Sequence, residues 1–232
     1  MTLAKGIILG LLLLIFVFLV AKHYFDLKEH VEKKNRTRFI VRVAVFGGFS
    51  AILYCVPFLK FPVPFFPSFL EFHFDEIPAF IGAFAYGPMT GFYVLLVKTF
   101  IKLPMTNTLA VGEIADLLYS LAFIMPAALF YQKNRTFKGA IKALIIGLFC
   151  QLVVSLVANV YVMFPFYMRM FGLSEAALLK ICQLANPAIQ DVRWSVGFIA
   201  VLPFNVIKDA AIILVTLLVY KSTHTLFDRF QK

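Results

Sequence analysis

Charge is what this sequence has least of. Only 15% of its 232 residues are Asp, Glu, Lys or Arg, 62% are apolar, and the mean hydropathy is +0.89. Soluble domains run at about 45–50% apolar and about 25% charged, so an ordinary soluble domain is excluded. Acids are scarcer than bases, 12 against 22. The net charge of +10 would suit a nucleic-acid binder, but basic flanks on membrane spans account for it. Cysteine is also sparse: Cys55, Cys150 and Cys182 show no CxxC spacing, which argues against a disulfide framework and a thiolate metal site. They read as packing residues. A small-x-small cleavage site is missing after the first apolar run, so that run is expected to stay as an anchor and not to leave as a signal peptide.

Long apolar runs are what the chain has instead. There is room for six or seven spans of roughly 20 residues each. The first runs from Leu3 to Ala21 and is followed by a charged, amphipathic connector from Tyr24 to Arg38. Further spans are expected over Phe39–Phe58, Ala79–Tyr86, Gly91–Leu103, Glu113–Tyr131, Gly139–Phe164 and Gly197–Tyr220. The chain then divides into an extra N-terminal helix with its connector (1–38) and an all-α membrane domain of six helices (39–232). Assigning alternate connections to the two sides puts 14 Lys and Arg on one side and 6 on the other. The richer side is cytoplasmic by the positive-inside rule, so the N-terminus is expected outside and the C-terminus inside.

Some stretches carry more than hydropathy. In Phe39–Phe58 small residues recur at spacing four, Ala44 with Gly48 and Gly47 with Ala51, which lets another helix backbone approach; packing within the protein explains the pattern equally. Lys60 to Leu70 holds Pro62, Pro64 and Pro67 among aromatics, too proline-rich for a helix and too greasy for a solvated loop. It reads as the rim or lid of a pocket, or as an interfacial aromatic belt. Glu71-Phe72-His73-Phe74-Asp75-Glu76 then gathers charge ahead of Pro78, which suits a helix's first turn. His73 beside two acids resembles a metal cluster only weakly, because no second histidine stands at ligand spacing.

Polar groups inside the apolar runs are the strongest functional signal. Leu202-Pro203-Phe204-Asn205-Val206-Ile207-Lys208-Asp209 sits within an otherwise apolar helix. An ionisable group in hydrocarbon costs at least about 2.5–3.5 kcal/mol, so it normally faces a partner or a cavity. Asn205 and Lys208 share a helix face, and Asp209 is four residues from Asn205. Lys98 is a second intramembrane cation, with snorkelling to the nearby helix end as its alternative. Glu113 and Asp116 fall in a first turn and are counter-ion candidates for Lys98 or Lys208. Asn159 is a lone amide in the sixth membrane run, a position where bonding to a neighbouring helix is the commoner role.

Together these residues resemble the substrate-binding S components of energy-coupling-factor (ECF) vitamin transporters, in particular the riboflavin branch. Phe65-Phe66-Pro67-Ser68-Phe69-Leu70 through Ile77-Pro78-Ala79 and Gly87-Pro88 is similar to the family run FPSFLKLDFSDIPA…GP. Val111-Gly112-Glu113 resembles its VGE turn, Asn159 to Tyr167 its LNYFVLLPLY, and Leu202 to Lys208 its LPFNLIKG. The likeness covers Phe39 to Tyr220 and leaves out the leading span. It implies a six-helix bundle in a bacterial cell membrane, capturing a vitamin, with riboflavin foremost, without chemistry on it. It implies as partners a transmembrane scaffold subunit and two ATPases that use the ATP. The chain holds no Gly-Lys-Ser/Thr phosphate loop and no cofactor of its own is expected. It further implies a substrate-binding set of Asn159, Asn205 and Lys208 with Phe69, Leu70, Glu113 and Asp116, and scaffold docking through Ala44, Gly47, Gly48 and Ala51. The sequence departs from the family at Glu71, His73, Asp75, Glu76, Thr99, Asp116 and Asp209, which adds charge and leaves room for a different vitamin or precursor, including a cationic one. Two other classes compete: an intramembrane hydrolase using Asp75, Glu76 or His73, which lacks a recognisable nucleophile–base pair, and an assembly protein that only binds partners.

Overall fold

The computed structural model describes residues 33–230. The expected first span lies outside the described residues. Helix α1 covers Lys33–Cys55, so Lys33 to Arg38, placed in a connector by their charge, continue the helix. No Gly or Pro falls between Lys33 and Gly47, and Lys, Arg and Asn are tolerated at a helix end.

A short antiparallel ribbon, β1 (Phe61–Pro62) and β2 (Glu71–Phe72), closes the proline-rich loop, with Phe61 opposite Phe72. The loop therefore has a defined base. Lys60 bonds Glu71 at 2.7 Å, and the Phe61 and Phe72 rings stack 5.0 Å apart. Helices α2 (Glu76–Tyr86) and α3 (Pro88–Lys102) follow as a hairpin. Gly87 turns between them at φ 104°, a conformation open to glycine, and Pro88 opens α3, where its missing N–H is not needed.

Helix α4 (Val111–Lys133) is followed by α5 (Phe137–Ala158), whose first turn is capped by Thr136 accepting from the Gly139 N–H at 3.0 Å. Gly147 lets α5 come close to α4: a Cβ there would lie 2.2 Å from the Phe123 carbonyl oxygen. α5 continues through a π-helical turn, Asn159–Met163, into α6 (Phe164–Met170). Beyond it, α7 (Glu175–Ala185) is capped by Ser174, whose side chain accepts from the Ala177 N–H. A second π-helical turn, Gly197–Val201, leads into α8 (Leu202–Phe230).

The two π turns share a cause in the sequence. Each ends one residue before a proline dipeptide, Phe164-Pro165 or Leu202-Pro203. Proline lacks an N–H, and its ring collides with the carbonyl four residues back; a wider turn relieves the collision without breaking the helix. Asn159 lies in the first such turn, and Asn205 follows the second by four residues.

The core centres on α2. Ala79, Phe80, Ala83 and Phe84 are buried among Val94 and Leu95 of α3, Phe123, Ile124 and Ala127 of α4, Leu144 of α5 and Ile212 of α8. Phe80 meets Phe123 edge-on at 4.6 Å, and Tyr131 and Tyr220 hydroxyls join at 2.7 Å near the far end. A smaller cluster of Phe164, Leu178, Cys182, Ile189 and Val196 fastens α7 and its loop to the bundle. Outward faces are apolar: Ile40, Val45, Phe49, Phe149, Leu214 and Leu218 are exposed, as a lipid-facing surface requires. Arg36–Cys55, Val111–Lys133, Phe137–Met170 and Trp194–Lys221 are long and apolar enough to cross a membrane. α2 and α3, at 11 and 15 residues, are shorter, at about 1.5 Å per residue, than the roughly 30 Å of hydrocarbon.

Candidate functional site

A cavity of about 430 Å³ opens at the ribbon end of the bundle. Its volume is in the range of small-molecule sites, about 300–1,000 Å³. Phe69 and Leu70 of the proline-rich loop form one wall, with Phe164, Tyr167, Leu178 and Phe204 opposite or beneath. Phe69 packs edge-on against Phe164 at 6.2 Å, and Phe66 against Phe204 at 5.5 Å, so the loop rests on the helices that carry the two π turns. The polar lining includes Asn159, Asn205 and Lys208 from α5 and α8, and Glu113, Asp116 and Tyr119 from α4. All seven residues expected to bind substrate therefore line one cavity, although they come from four separate stretches of chain.

The two amides share an anchor. The Asn159 side-chain NH₂ donates to the Ser155 carbonyl at 2.8 Å, and that of Asn205 donates to Ser155 Oγ at 3.1 Å. One N–H of each is thus committed to α5, which leaves the Oδ1 acceptors and the second N–H for the cavity. The two amides therefore present a mixed donor and acceptor surface.

Beneath the cavity lies a buried charge network. Lys208, only 6% exposed, donates to Glu76 Oε1 at 2.9 Å and lies 3.5 Å from His73 Nε2. Lys98 is wholly buried, not snorkelling; it bonds Asp75, Asp116 at 3.0 Å and Ser120 Oγ at 3.2 Å. The His73 ring meets Asp75 through Nδ1 and lies 3.6 Å from Asp116 through Nε2. Ser50 of α1 donates to the Asp75 backbone carbonyl. The Tyr54 ring of α1 sits near three ammonium groups, those of Lys60, Lys98 and Lys102. One network thereby joins α1, the loop, α2, α3, α4 and α8.

The counter-ions differ in part from those expected. Asp116 does pair with Lys98, but Lys208 takes Glu76, which lies 132 residues away in sequence. Glu113 pairs with neither lysine: Thr106 and Thr108 hydroxyls donate to its Oε2 at 2.8 and 2.9 Å. Those threonines come from the short polar loop before α4, which sequence reading passed over. Asp209 is turned inward and 1% exposed. Among the described residues, no hydrogen-bond donor reaches either of its carboxylate oxygens. Tyr119 was also missed; at the cavity wall its buried hydroxyl has no hydrogen-bond partner among the described residues.

His73, Glu76 and Asp116 offer ligand atoms within 4.8 Å of one another, a spacing a metal ion would accept. The Lys208 ammonium already stands among them, so the positive charge at this point is supplied by the protein.

The two small-residue pairs of α1 separate. Gly47 and Ala51 are turned into the bundle, and a Cβ on Gly47 would lie 2.7 Å from Val97 of α3. Those two serve internal packing, not a docking surface. Ala44 faces outward, and Gly48 has open space where a Cβ would go.

A membrane bundle with a largely apolar pocket, open at one end over a charged floor, has counterparts among known proteins. Residues 38–220 match the family described as ECF transporter, substrate-specific component. The chain belongs to that family, whose members are transporter components and not an enzyme class. It is 30% identical over 181 residues to a riboflavin transporter, RibU, of Staphylococcus aureus (strain TCH60), covering 78% of this chain and 88% of that one. A riboflavin transporter of Bacillus subtilis (strain 168), FmnP, is 26% identical over 78% of this chain and 90% of its own. The solved S component of a bacterial ECF transporter superposes with a TM-score of 0.65 at 25% identity, over 82% of this chain and 98% of that structure. The chain is accordingly a multi-pass protein of the cell membrane.

Proposed function

We propose that this chain captures riboflavin with high affinity outside the cell, as the S component of an ECF-type ABC importer. The observation that carries the reading is the convergence of Asn159, Asn205, Lys208, Phe69, Leu70, Glu113 and Asp116 on one cavity, in a chain similar to named riboflavin transporters. The aromatic walls cover an isoalloxazine-sized ring, which prefers offset or edge-on aromatic contact. Lys208 and the free amide groups meet its carbonyl edge, and Glu113 and Asp116 accept from N–H or hydroxyl groups. The proline-rich loop, anchored by its ribbon, closes over the solute.

The chain performs no chemistry on its ligand. Energy comes from a transmembrane scaffold subunit and two ATPase subunits, which use the ATP. Ala44 and Gly48 supply the close-approach surface for the scaffold. The cavity end faces outside and the C-terminus the cytoplasm, in keeping with the distribution of basic residues. Flavin fluorescence on the purified protein tests the reading: riboflavin should be quenched saturably at sub-micromolar concentration. A folded sample that leaves the fluorescence unchanged overturns the choice of solute.

A further inference from the structure

Ser155 is wholly buried and is not part of the cavity wall, yet both cavity amides are tied to it. Its hydroxyl carries one proton, and the bond to the Leu152 carbonyl at 3.1 Å uses it. Serine within a helix bonds back to the preceding turn in this way. Toward Asn205 the Ser155 oxygen can then only accept, so the contact at 3.1 Å needs the NH₂ end of that amide. The Ser155 carbonyl has no proton to give either, so the contact at 2.8 Å needs the NH₂ end of Asn159. The two ends of an amide are told apart by the groups they meet, and here one residue decides both.

The consequence falls on the cavity. Both Oδ1 atoms are turned away from their anchor, and no donor among the described residues reaches either. Lys208 adds an ammonium with three N–H groups, of which Glu76 takes one at 2.9 Å. The wall therefore offers fixed oxygen acceptors with N–H donors beside them, from residues 159, 205 and 208. The complementary ligand edge has a donor between two acceptors, which is the pattern of a cyclic imide: C=O, N–H, C=O. A ring nitrogen without its hydrogen would leave an amide oxygen buried and unpaired. Sites of this kind reject close analogues for that reason.

We propose that Ser155 is a positioning residue for ligand capture: by holding both amides with their oxygens toward the cavity, it makes the pocket select a ring edge in which an N–H stands between two carbonyls. The inference rests on the flavin reading above and assigns the part of the flavin that is read, its imide edge. One amide oxygen accepts from the ring N–H. The remaining amide N–H groups and the Lys208 ammonium serve the two carbonyls. Ser155 itself touches no ligand and acts through Asn205 and Asn159.

The test uses the full chain in lipid nanodiscs, titrated by flavin fluorescence with riboflavin and with riboflavin methylated at N3, which keeps both carbonyls and loses the N–H. The unaltered chain should bind the methylated flavin at least about tenfold more weakly. Ser155→Ala removes the acceptor that holds Asn205 and frees that amide to turn round. It should weaken riboflavin by about three- to tenfold and shrink the discrimination by a similar factor. In an Asn205→Ala background the same change should cost far less, because the hydroxyl then has no amide to hold. Equal binding of the two flavins by the unaltered chain overturns the imide assignment. Affinity and discrimination both unmoved by Ser155→Ala, or a loss of the same size with and without Asn205, overturns the role of the serine while leaving flavin capture intact. An unaltered chain that binds neither flavin overturns the flavin reading and this inference with it.

Discussion

Replacing Lys208 by Met keeps the length of the side chain and removes its charge. Two effects should follow, and they can be separated. The ammonium is 6% exposed, donates to Glu76 at 2.9 Å and lines the cavity. Its removal takes away a charge-assisted donor to the ligand, which lowers riboflavin affinity by about 1.5–3 kcal/mol, or roughly ten- to a hundred-fold in Kd. It also removes the ammonium bonded to Glu76, leaving the Ser120 hydroxyl on Oε1, while Oε2 has no hydrogen-bond partner among the described residues. Breaking a buried pair from one side destabilises by about 3–5 kcal/mol. The double variant Lys208→Met, Glu76→Gln removes the stranded charge. It should recover much of the thermal stability while binding stays weak. Flavin fluorescence titration and thermal unfolding in the same detergent read the two quantities. A single variant that binds riboflavin as tightly as the unaltered chain refutes the assignment of Lys208 to the ligand. A double variant that regains full affinity would show that the lysine acts only on Glu76.

Other consequences are equally direct. Gly47→Leu should destabilise the chain by about 1–3 kcal/mol through the contact with Val97, read by thermal unfolding. Gly48→Leu should leave folding and riboflavin binding unchanged and lower the yield of assembled importer on co-purification. Thr136→Ala removes the cap on α5 and should cost about 1 kcal/mol in thermal unfolding. At the ribbon, half-burial pushes the Glu71 carboxyl up, but the Lys60 ammonium bonded to it outweighs this and holds it below its ordinary 4.5. A depressed carboxylate stabilises above its unfolded value and loses that contribution as pH falls through the folded one. The extra protease sensitivity of the loop in Lys60→Met should therefore be full at neutral pH and vanish in acid, below that range.

The sequence made the helices legible because their signals are local. Pro78, Gly87-Pro88 and Ser174 mark ends that the structure places where residue type puts them. Asn159, Asn205 and Lys208 stood out because amides and an ammonium are rare in apolar runs. The pairing of these groups was not legible. Glu76 and Lys208 are 132 residues apart, and nothing local indicates that α2 and α8 cross at that level. Spacing alone also gave Gly47 and Gly48 the same weight. Which one faces Val97 depends on how α1 is rotated against α3, a tertiary fact. The π turns could have been read: each precedes a proline in a run too apolar to end. Their effect, which is to seat the two amides on one serine, belongs to the packing of α5 against α8.

The central claim, that one cavity formed by the proline-rich loop, α4, α5 and α8 holds a flavin, is tested most directly by titrating the purified full chain with riboflavin and following flavin fluorescence. Saturable quenching at sub-micromolar riboflavin, lost in Lys208→Met, is the predicted result. Unquenched flavin with a sample that still unfolds cooperatively would contradict it.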